Sequence, residues 1–315
     1  MKYNHENLEL LFPAPYPVVL GKLSFPENEP EMTDFELAFL CGMIRETKPK
    51  KIVEVGVAAG GTTAVIMECL AMLGLNETTE IHSVDVSELF YRGEGEKTGY
   101  LAEEYKRQSN WQGMHRMYLG KYLPEVLDEI GKDVDFVILD TSHQMPGEVL
   151  DFLAVFPSLK PHACVVLHDI ALNHYDIHPE SFATQVLLDS VVADKFIVKD
   201  PSREFGYPNI GAFIVNEDTA KYIANVFHVL IITWNYVPER GKFDLYLKSY
   251  EKSYSVELIE LSSVAYELQK GTQVREQIRE RKDREAEEAW RHSYTFRIGN
   301  AITFLPRMIR GLVKR

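Results

Sequence analysis

The stretch that decides the fold is Ile52-Val-Glu-Val-Gly-Val-Ala-Ala-Gly-Gly-Thr-Thr63, in which a short apolar run leads through glycines into a helical pattern. Glycine adopts positive φ readily, so Gly56, Gly60 and Gly61 predict a turn whose backbone passes close beneath a ligand. A strand, a glycine-rich turn and a helix in this order are typical of nucleotide-like ligand sites. Glu54 lies within the apolar run, where an acid is unfavourable unless it is hydrogen-bonded, so we expect it to have a partner.

Strands and helices alternate after this turn. We predict strands at 51–56, 80–85, 114–118, 134–140 and 163–168, with helices near 62–74, 98–109, 121–130, 145–158 and 180–193. A final pair of strands at 195–199 and 210–215 is expected to form a closing hairpin. The pattern predicts a Rossmann-like α/β fold, doubly wound, with a mostly parallel seven-stranded sheet, an antiparallel closing strand and a C-terminal helical extension.

The flanking segments have different characters. Five are distinguished: an N-terminal arm and helix at 1–50, with an irregular arm over 1–31; the Rossmann-like domain at 51–216; an aromatic-rich segment at 217–255; a charged helix at 256–290; and a basic amphipathic tail at 291–315. The charged helix is expected to be solvated or to pair with a copy of itself. The tail could contact an anionic membrane or a partner, or fold back on the acidic body.

Composition limits the function classes. The chain has 315 residues, 45% of them hydrophobic, and a formal net charge of -13, which argues against a general nucleic-acid binder. The cysteines Cys41, Cys69 and Cys164 lie in apolar segments and predict buried thiols rather than disulfides. No secretory signal and no apolar run long enough to span a bilayer are recognised, so we expect a cytoplasmic protein, with peripheral contact at the inner membrane face through the tail.

Acidic and histidine side chains follow three of the predicted strands. Asp85 ends the second strand, where a carboxylate can accept from ribose hydroxyls. Asp140 and His143 follow the fourth strand, and His168 and Asp169 follow the fifth. Parallel neighbours bring these groups to one edge, where the aspartates suit a divalent cation such as Mg²⁺ and His143 could accept a proton. The alternative is that these residues only cap helices and bridge loops.

With these residues the sequence resembles the class I S-adenosylmethionine-dependent methyltransferases, in the branch of macrolide-sugar and rhamnosyl O-methyltransferases and proteins labelled cephalosporin hydroxylases. The likeness covers about residues 33–216. It implies S-adenosylmethionine as cofactor, a divalent cation and an O-methyl transfer with His143 and Asp140 as catalytic residues. It assigns cofactor contacts to Glu54, Gly56, Ala58, Gly60, Gly61, Thr62, Asp85 and Gly120, and metal contacts to Asp140, His168 and Asp169.

One departure from the family concerns the metal. His168 stands where metal-dependent relatives often carry an acid, so the ion could be Mn²⁺ or a softer metal rather than Mg²⁺. An iron site built from His143, His168 and one aspartate stays open as a lesser alternative.

Two other functions remain open as well, a nicotinamide-dependent oxidoreductase and a non-catalytic assembly protein of a glycan-synthesis complex. The segment Ser293–Gly299 and the pair Leu305-Pro306 loosely resemble tails of bacterial surface-polysaccharide enzymes, which favours a sugar hydroxyl as acceptor, in surface-glycan or natural-product biosynthesis.

Overall fold

The computed structural model of the protein describes residues 3–4, 10–12, 15–23, 31–175 and 179–292. Within these ranges one mixed sheet forms the centre of the fold. Its strands are β1 (Tyr3–Asn4), β2 (Lys51–Val55), β3 (Glu80–Asp85), β4 (Met114–Leu119), β5 (Val134–Leu139), β6 (Leu159–His168), β7 (Asp194–Phe196) and β8 (Ile210–Ile214). The spatial order is β1-β7-β8-β6-β5-β2-β3-β4. All neighbours are parallel except that β8 runs antiparallel to β6 and to β7.

Helices cover both faces of the sheet. The helices are α1 (Pro15–Lys22), α2 (Asp34–Thr47), α3 (Gly61–Met72), α4 (Tyr100–Ser109), α5 (Leu123–Ile130), α6 (Gly147–Val155), α7 (Leu172–Tyr175), α8 (Ala183–Ser190), α9 (Glu217–Lys221), α10 (Ala224–His228), α11 (Arg240–Tyr250) and α12 (Val256–His292). Helices α1 to α4 pack together in one layer, and α5, α6, α8, α10 and α11 pack in a second. This two-layer cover is the doubly wound α/β arrangement that the alternating pattern predicts.

The seven strands predicted from sequence and their closing antiparallel pair are confirmed. The prediction of an irregular arm over residues 1–31 was wrong. This arm contains the helix α1 and the strand β1, which adds an eighth strand to the sheet. Two prolines in the first turn of α1 favoured the prediction of an irregular segment. Proline is nevertheless tolerated in the first turn of a helix, because the amides there have no intrahelical partner. Lys22, at the end of α1, forms an ion pair of 2.5 Å with Glu68 of α3, which fixes the arm against the fold.

The interior of the sheet explains why its strands were easy to recognise. Strand β5 is buried along nearly its whole length, as expected for a parallel strand covered on both faces. The three cysteines, Cys41, Cys69 and Cys164, are buried free thiols, which confirms their prediction as core residues.

The site is positioned by the strand order. Strand β2 lies between β3 and β5, so the connections from β2 and β5 leave the sheet in opposite directions and open a crevice at the carboxyl edge. Ligands of doubly wound folds bind at such a switch point.

Contacts divide the chain into two compact units, Met1–Ala265 and Tyr266–Arg315. In the second unit the described residues continue α12 to His292, and every side chain at 273–288 is exposed. This agrees with the solvated helix that its charge pattern predicts. Residues 293–315, which include nearly all of the predicted basic tail, lie outside the described residues. No helix in the described ranges is long and apolar enough to cross a membrane.

Candidate active site

The glycine turn after β2 is closely packed against the end of β5. Gly56 has φ +91°, and a Cβ placed on it would lie 1.7 Å from the carbonyl oxygen of Asp140. Gly60 has φ +88° and caps α3, with the backbone of Gly99 within 2.9 Å of its Cβ position. Both positions therefore require glycine, as the sequence predicted. The turn brings the start of α3 to the crevice, where backbone amides can face a ligand.

Asp85 ends β3 beside this turn. Its Oδ2 accepts hydrogen bonds from the amides of Val57, at 2.9 Å, and Ala58, at 3.2 Å. Its Oδ1 accepts from the amide of Ser87 at 2.8 Å. The carboxylate thus holds the glycine turn in place, and it lines the cleft with lone pairs still available to hydroxyl donors. Its predicted contact with ribose stays a prediction.

Glu54 has the partners that the sequence required, and they are side-chain hydroxyls. The residue is 1% exposed and accepts hydrogen bonds from Thr63, at 2.8 Å, and Ser83, at 2.6 Å. Burial raises the pKa of Glu54 to about 7, and the two hydroxyl hydrogen bonds offset that effect only in part. Glu54 therefore ties β2 to α3 and β3 beneath the turn, and it does not line the cleft.

Replacing Glu54 by glutamine is expected to change the pH dependence of stability. A carboxyl whose pKa is higher in the folded protein, about 7, than in the unfolded chain, 4.5, stabilises the fold below the unfolded value. That contribution is lost as the pH rises through about 7, at a cost of about 3 kcal/mol. We expect Glu54→Gln to gain stability relative to the wild type between pH 5 and pH 8, measured by urea unfolding. The exposed Glu103→Gln serves as control. Parallel curves for wild type and Glu54→Gln would contradict the assignment.

The groups predicted at the ends of β5 and β6 do meet. Nε2 of His143 lies 3.0 Å from Oδ2 of Asp169 and 3.8 Å from Oδ1 of Asp140. One ligand atom from each of these three residues lies within 4.8 Å of the others, which is a spacing that a single cation can bridge. The grouping differs from the predicted metal set, because His143 takes the place that the resemblance gave to His168.

Each ring nitrogen of His168 lies close to a carboxylate oxygen. Nδ1 lies 2.9 Å from Oδ1 of Asp140, and Nε2 lies 3.3 Å from Oε2 of Glu36. Burial alone would lower the pKa of His168, but the negative charges of Asp140 and Asp169 outweigh it and raise the pKa well above its usual value. Both ring nitrogens face carboxylate oxygens, so this arrangement favours His168 as a hydrogen-bond partner of Asp140 and Glu36 over His168 as a ligand in a two-histidine iron site.

Glu36 was not identified from sequence. It forms a capping box with Thr33 at the start of α2, and the same carboxylate faces His168 and accepts from Arg203 at 3.1 Å. Burial would raise its pKa, but the hydrogen bond and charge of His168 lower the pKa to about 2. The spacing Thr33-x-x-Glu36 is typical of a capping box at a helix N-terminus, so this first role can be predicted from sequence. Its second role depends on the distant strand β6, which no local pattern reveals.

Glu148 was also missed, and it fixes the loop that carries His143. It is fully buried at the start of α6, and its Oε1 accepts from the amide of His143 at 2.6 Å and from the hydroxyl of Thr141 at 2.9 Å. His143 has φ +57°, a conformation that non-glycine residues rarely adopt, so the loop needs this anchoring. Nδ1 of His143 lies 3.5 Å from Glu148, which leaves Nε2 turned to the aspartates.

Most of the predicted residues line one cleft of about 1520 Å³. This volume exceeds that of a typical single-ligand pocket, so it has room for a cofactor and an acceptor together. The predicted residues that line it are Gly56, Ala58, Gly61, Thr62, Asp85, Asp140, His143, His168 and Asp169. Glu54, Gly60 and Gly120 do not line it; Gly120, with φ +67°, packs beneath Glu88. Their predicted contacts with the cofactor stay predictions.

The donor set at the cluster fits a divalent cation. Two carboxylates and one imidazole nitrogen converge, and such oxygen-rich sets suit Mg²⁺ or Mn²⁺. Without a cation or a proton between them, a lone pair on Nε2 of His143 would face Asp140 and Asp169 directly, and this is repulsive. Asp140 and Asp169 are therefore the residues that would hold an ion, with Nε2 of His143 beside them, and the ion would supply positive charge next to an acceptor oxygen.

Comparisons with known proteins relate this part of the chain to methyltransferases. Residues 53–170 match the family model described as a methyltransferase domain. A search of curated proteins finds no match. The match supports neither the nicotinamide-dependent alternative nor an iron-dependent hydroxylase.

Solved structures similar to the chain include three methyltransferases of low sequence identity. TomG, an O-methyltransferase of tomaymycin synthesis from Streptomyces achromogenes in complex with SAM, is 15% identical, with 67% of this chain and 91% of that one covered and a TM-score of 0.45. An O-methyltransferase from Bacillus cereus in complex with SAH is 16% identical, with 64% and 91% covered and a TM-score of 0.43. The SAH-bound methyltransferase PaMTH1 from Podospora anserina is 12% identical, with 67% and 89% covered and a TM-score of 0.44.

The family match covers β2 to the end of β6, and this span contains the glycine turn, Asp85 and the Asp140, His143 and Asp169 cluster. Residues 53–170, which carry most of the candidate site, are therefore similar to a methyltransferase domain.

Proposed function

We propose that the protein transfers the methyl group of S-adenosylmethionine to a hydroxyl oxygen, and that the acceptor is a sugar. The observation that carries this proposal is that the glycine turn after β2 and the cluster of Asp140, His143 and Asp169 open into the same cleft. A cofactor on the turn would then present its methyl group to an oxygen held at the cluster. Methyl transfer is an in-line displacement, so alignment and removal of the acceptor proton are the main tasks.

Each part of the cleft has a task in this proposal. The turn and the carboxylate of Asp85 would bind the nucleoside, while Asp140 and Asp169 would hold a divalent cation, which would supply positive charge to the acceptor oxygen. His143 accepts the acceptor's proton at Nε2, and Asp169, 3.0 Å away, stabilises the imidazolium that forms. Glu148 keeps the loop of His143 in its strained conformation, so that Nε2 stays directed to the reacting oxygen.

The acceptor end of the cleft supports a polyhydroxylated substrate. Arg203 lies over the ring of Tyr175, with its guanidinium carbon 4.7 Å from the ring centroid, and both side chains line the cleft together with Asn209. Aromatic faces with a few directed polar groups suit ligands that have both apolar faces and hydroxyls. With the tail resemblance, this favours a sugar in surface-glycan or natural-product biosynthesis.

The extension fits a cytoplasmic enzyme that works at a membrane face or as a homo-oligomer. The basic tail would bring the enzyme to anionic lipids, and the exposed part of α12 could pair with a second copy. The net charge of -13 gives no reason to expect a nucleic-acid partner.

Calorimetric titration with S-adenosylmethionine, S-adenosylhomocysteine and NAD tests the proposal, with and without Mg²⁺ or Mn²⁺. The wild type is expected to bind the first two and not NAD. Asp85→Ala is expected to lose roughly tenfold to a hundredfold in affinity, because a charged acceptor for two hydroxyls is removed. The surface variant Asp128→Ala is the control. Binding of NAD alone, or unchanged affinity in Asp85→Ala, would contradict the cofactor assignment.

The acceptor requires a separate measurement. Deleting the gene and analysing the host's surface glycans by mass spectrometry should show the loss of an O-methyl group. Unchanged glycans would exclude a surface-glycan acceptor, and cofactor binding without any turnover would favour the non-catalytic assembly protein.

A further inference from the structure

The two carboxylates of the cluster are held by different parts of the chain. Asp169 has its own anchor, because Nδ2 of Asn209, just before β8, donates a hydrogen bond to its Oδ1. In the part of the chain that the structure describes, the carboxylate of Asp140 has one hydrogen-bond partner, which is Nδ1 of His168 at 2.9 Å. The position of the Asp140 carboxylate therefore depends on what fixes the ring of His168.

Glu36 fixes the far side of that ring. Nε2 of His168 lies 3.3 Å from Oε2 of Glu36, so the imidazole bridges Glu36 to Asp140. The side chains of Glu36 and His168 are only 1% and 4% exposed, whereas that of Asp140, at the cleft surface, is 20% exposed. A buried polar group that loses its partner is costly, so the ring cannot turn away from either carboxylate without penalty.

Glu36 is itself held at both oxygens. The amide of Thr33 donates to Oε2 at 2.7 Å, within the capping box at the start of α2. Arg203 donates to Oε1 at 3.1 Å, and Nε of Arg203 lies 3.7 Å from the buried carboxylate of Asp200. A carboxylate tied in this way has little freedom to follow a moving ring. The orientation of the His168 ring is therefore set by the start of α2.

This arrangement has the form of a support for a metal-binding carboxylate. Residues that ligate a metal are commonly oriented by hydrogen bonds from groups behind them, and losing such a group typically costs about tenfold to a hundredfold in metal affinity or activity. His168 and Glu36 lie behind Asp140 in this sense, because they are more deeply buried and contact it from the side away from the cleft surface.

We propose that Glu36 is a positioning residue, which acts through the ring of His168 to fix the carboxylate of Asp140 where it would hold the cation. This inference rests on the proposed methyl transfer with a cation at Asp140 and Asp169. It adds to that function a residue of α2, which precedes the span of the family match.

Three variants of Glu36 separate its reach from its charge. Glu36→Asp keeps the charge but is one methylene shorter, so it loses the contact with His168. Glu36→Gln keeps the length, and its carbonyl oxygen can replace Oε2 both toward the ring and in the capping box. We expect Glu36→Asp and Glu36→Ala to weaken Mn²⁺ binding roughly tenfold, and Glu36→Gln to bind nearly as the wild type does. Electron paramagnetic resonance of free Mn²⁺ measures these affinities on the cofactor-free protein.

A double variant tests whether Glu36 acts through His168. His168→Leu removes the ring that contacts Asp140, so it is expected to weaken Mn²⁺ binding at least as much as Glu36→Ala does. Once the ring is absent, Glu36 has no route to Asp140. The double variant Glu36→Ala/His168→Leu should therefore bind Mn²⁺ as His168→Leu alone does, because effects of residues that act in series are not additive.

The matched control is Glu125, the acid of another capping box, at the start of α5. It accepts from the amide of Tyr122 at 2.8 Å and does not line the cleft. Glu125→Ala should leave Mn²⁺ affinity unchanged, and urea unfolding shows which variants are folded.

The inference is wrong if the folded Glu36→Asp and Glu36→Ala variants bind Mn²⁺ as tightly as the wild type, or if the losses in the double variant add. A Glu36→Gln variant as weak as Glu36→Ala would assign the effect to charge and would also overturn it. A wild type that binds Mn²⁺ but no S-adenosylhomocysteine would instead overturn the proposed function. A wild type that binds no Mn²⁺ would remove the cation site and this inference with it.

Discussion

Gly56→Ala is expected to abolish cofactor binding and to destabilise the protein by several kcal/mol. A Cβ at this position would lie 1.7 Å from the carbonyl oxygen of Asp140, and φ is +91°, so neither the contact nor the backbone can be kept. Overpacking against backbone typically costs about 1–3 kcal/mol, and the unfavourable φ adds about 1–2 kcal/mol. The ends of β2 and β5 must move apart, which displaces both the turn and Asp140. Urea unfolding and titration with S-adenosylhomocysteine measure the two effects.

Gly74→Ala separates backbone strain from steric clash. Gly74 has φ +68°, and no atom lies within 4 Å of its Cβ position. We therefore expect this control to cost about 1 kcal/mol, with unchanged cofactor affinity. A Gly56→Ala variant that resembles Gly74→Ala in both measurements would show that the close approach to Asp140 is unimportant.

The sheet was predictable from sequence because its strands are buried on both faces and read as apolar runs. Strand β6 illustrates the limit, since it begins at Leu159 and the apolar run becomes recognisable only near Ala163. Helix α1 illustrates another limit, because Pro15 and Pro17 are typical of turns and are equally compatible with the first turn of a helix. Only its packing against α3 distinguishes the two possibilities, and that contact is not local in sequence.

Some residues of the candidate site were predictable from sequence and others were not. Groups at strand ends, such as Asp85, Asp140 and Asp169, were predictable because parallel strands bring their carboxyl ends to one edge. Glu148 was not, because an acid in the first turn of a helix is ordinary until its buried carboxylate is seen to hold the His143 loop. The contact of Glu36 with His168 was not either, because it joins residues that lie 132 positions apart in the sequence.

His143→Ala is expected to lower the turnover number by at least about a hundredfold while leaving the affinity for S-adenosylhomocysteine within about twofold. The imidazole lies among Asp140, Asp169 and Glu148, whereas the predicted cofactor contacts lie at the glycine turn and Asp85. Turnover is measured as release of S-adenosylhomocysteine with a panel of sugar acceptors. Because φ is +57° at this position, His143→Asn is a useful second variant, since asparagine tolerates that conformation better than alanine does. A fully active variant of either kind would remove His143 from the mechanism.

A metal titration of the same variants decides how His143 acts. Nε2 of His143 is close enough to Asp140 and Asp169 either to exchange a proton or to share a cation with them. If it accepts the acceptor's proton, His143→Ala should bind Mg²⁺ or Mn²⁺ nearly as the wild type does, and added imidazole should restore part of the turnover. If it is a ligand, metal affinity should fall together with turnover, as it should in Asp169→Asn. We expect the first result, because the two carboxylates offer the oxygen ligands that these ions prefer, and Nε2 of the imidazole then stays available to the acceptor's proton.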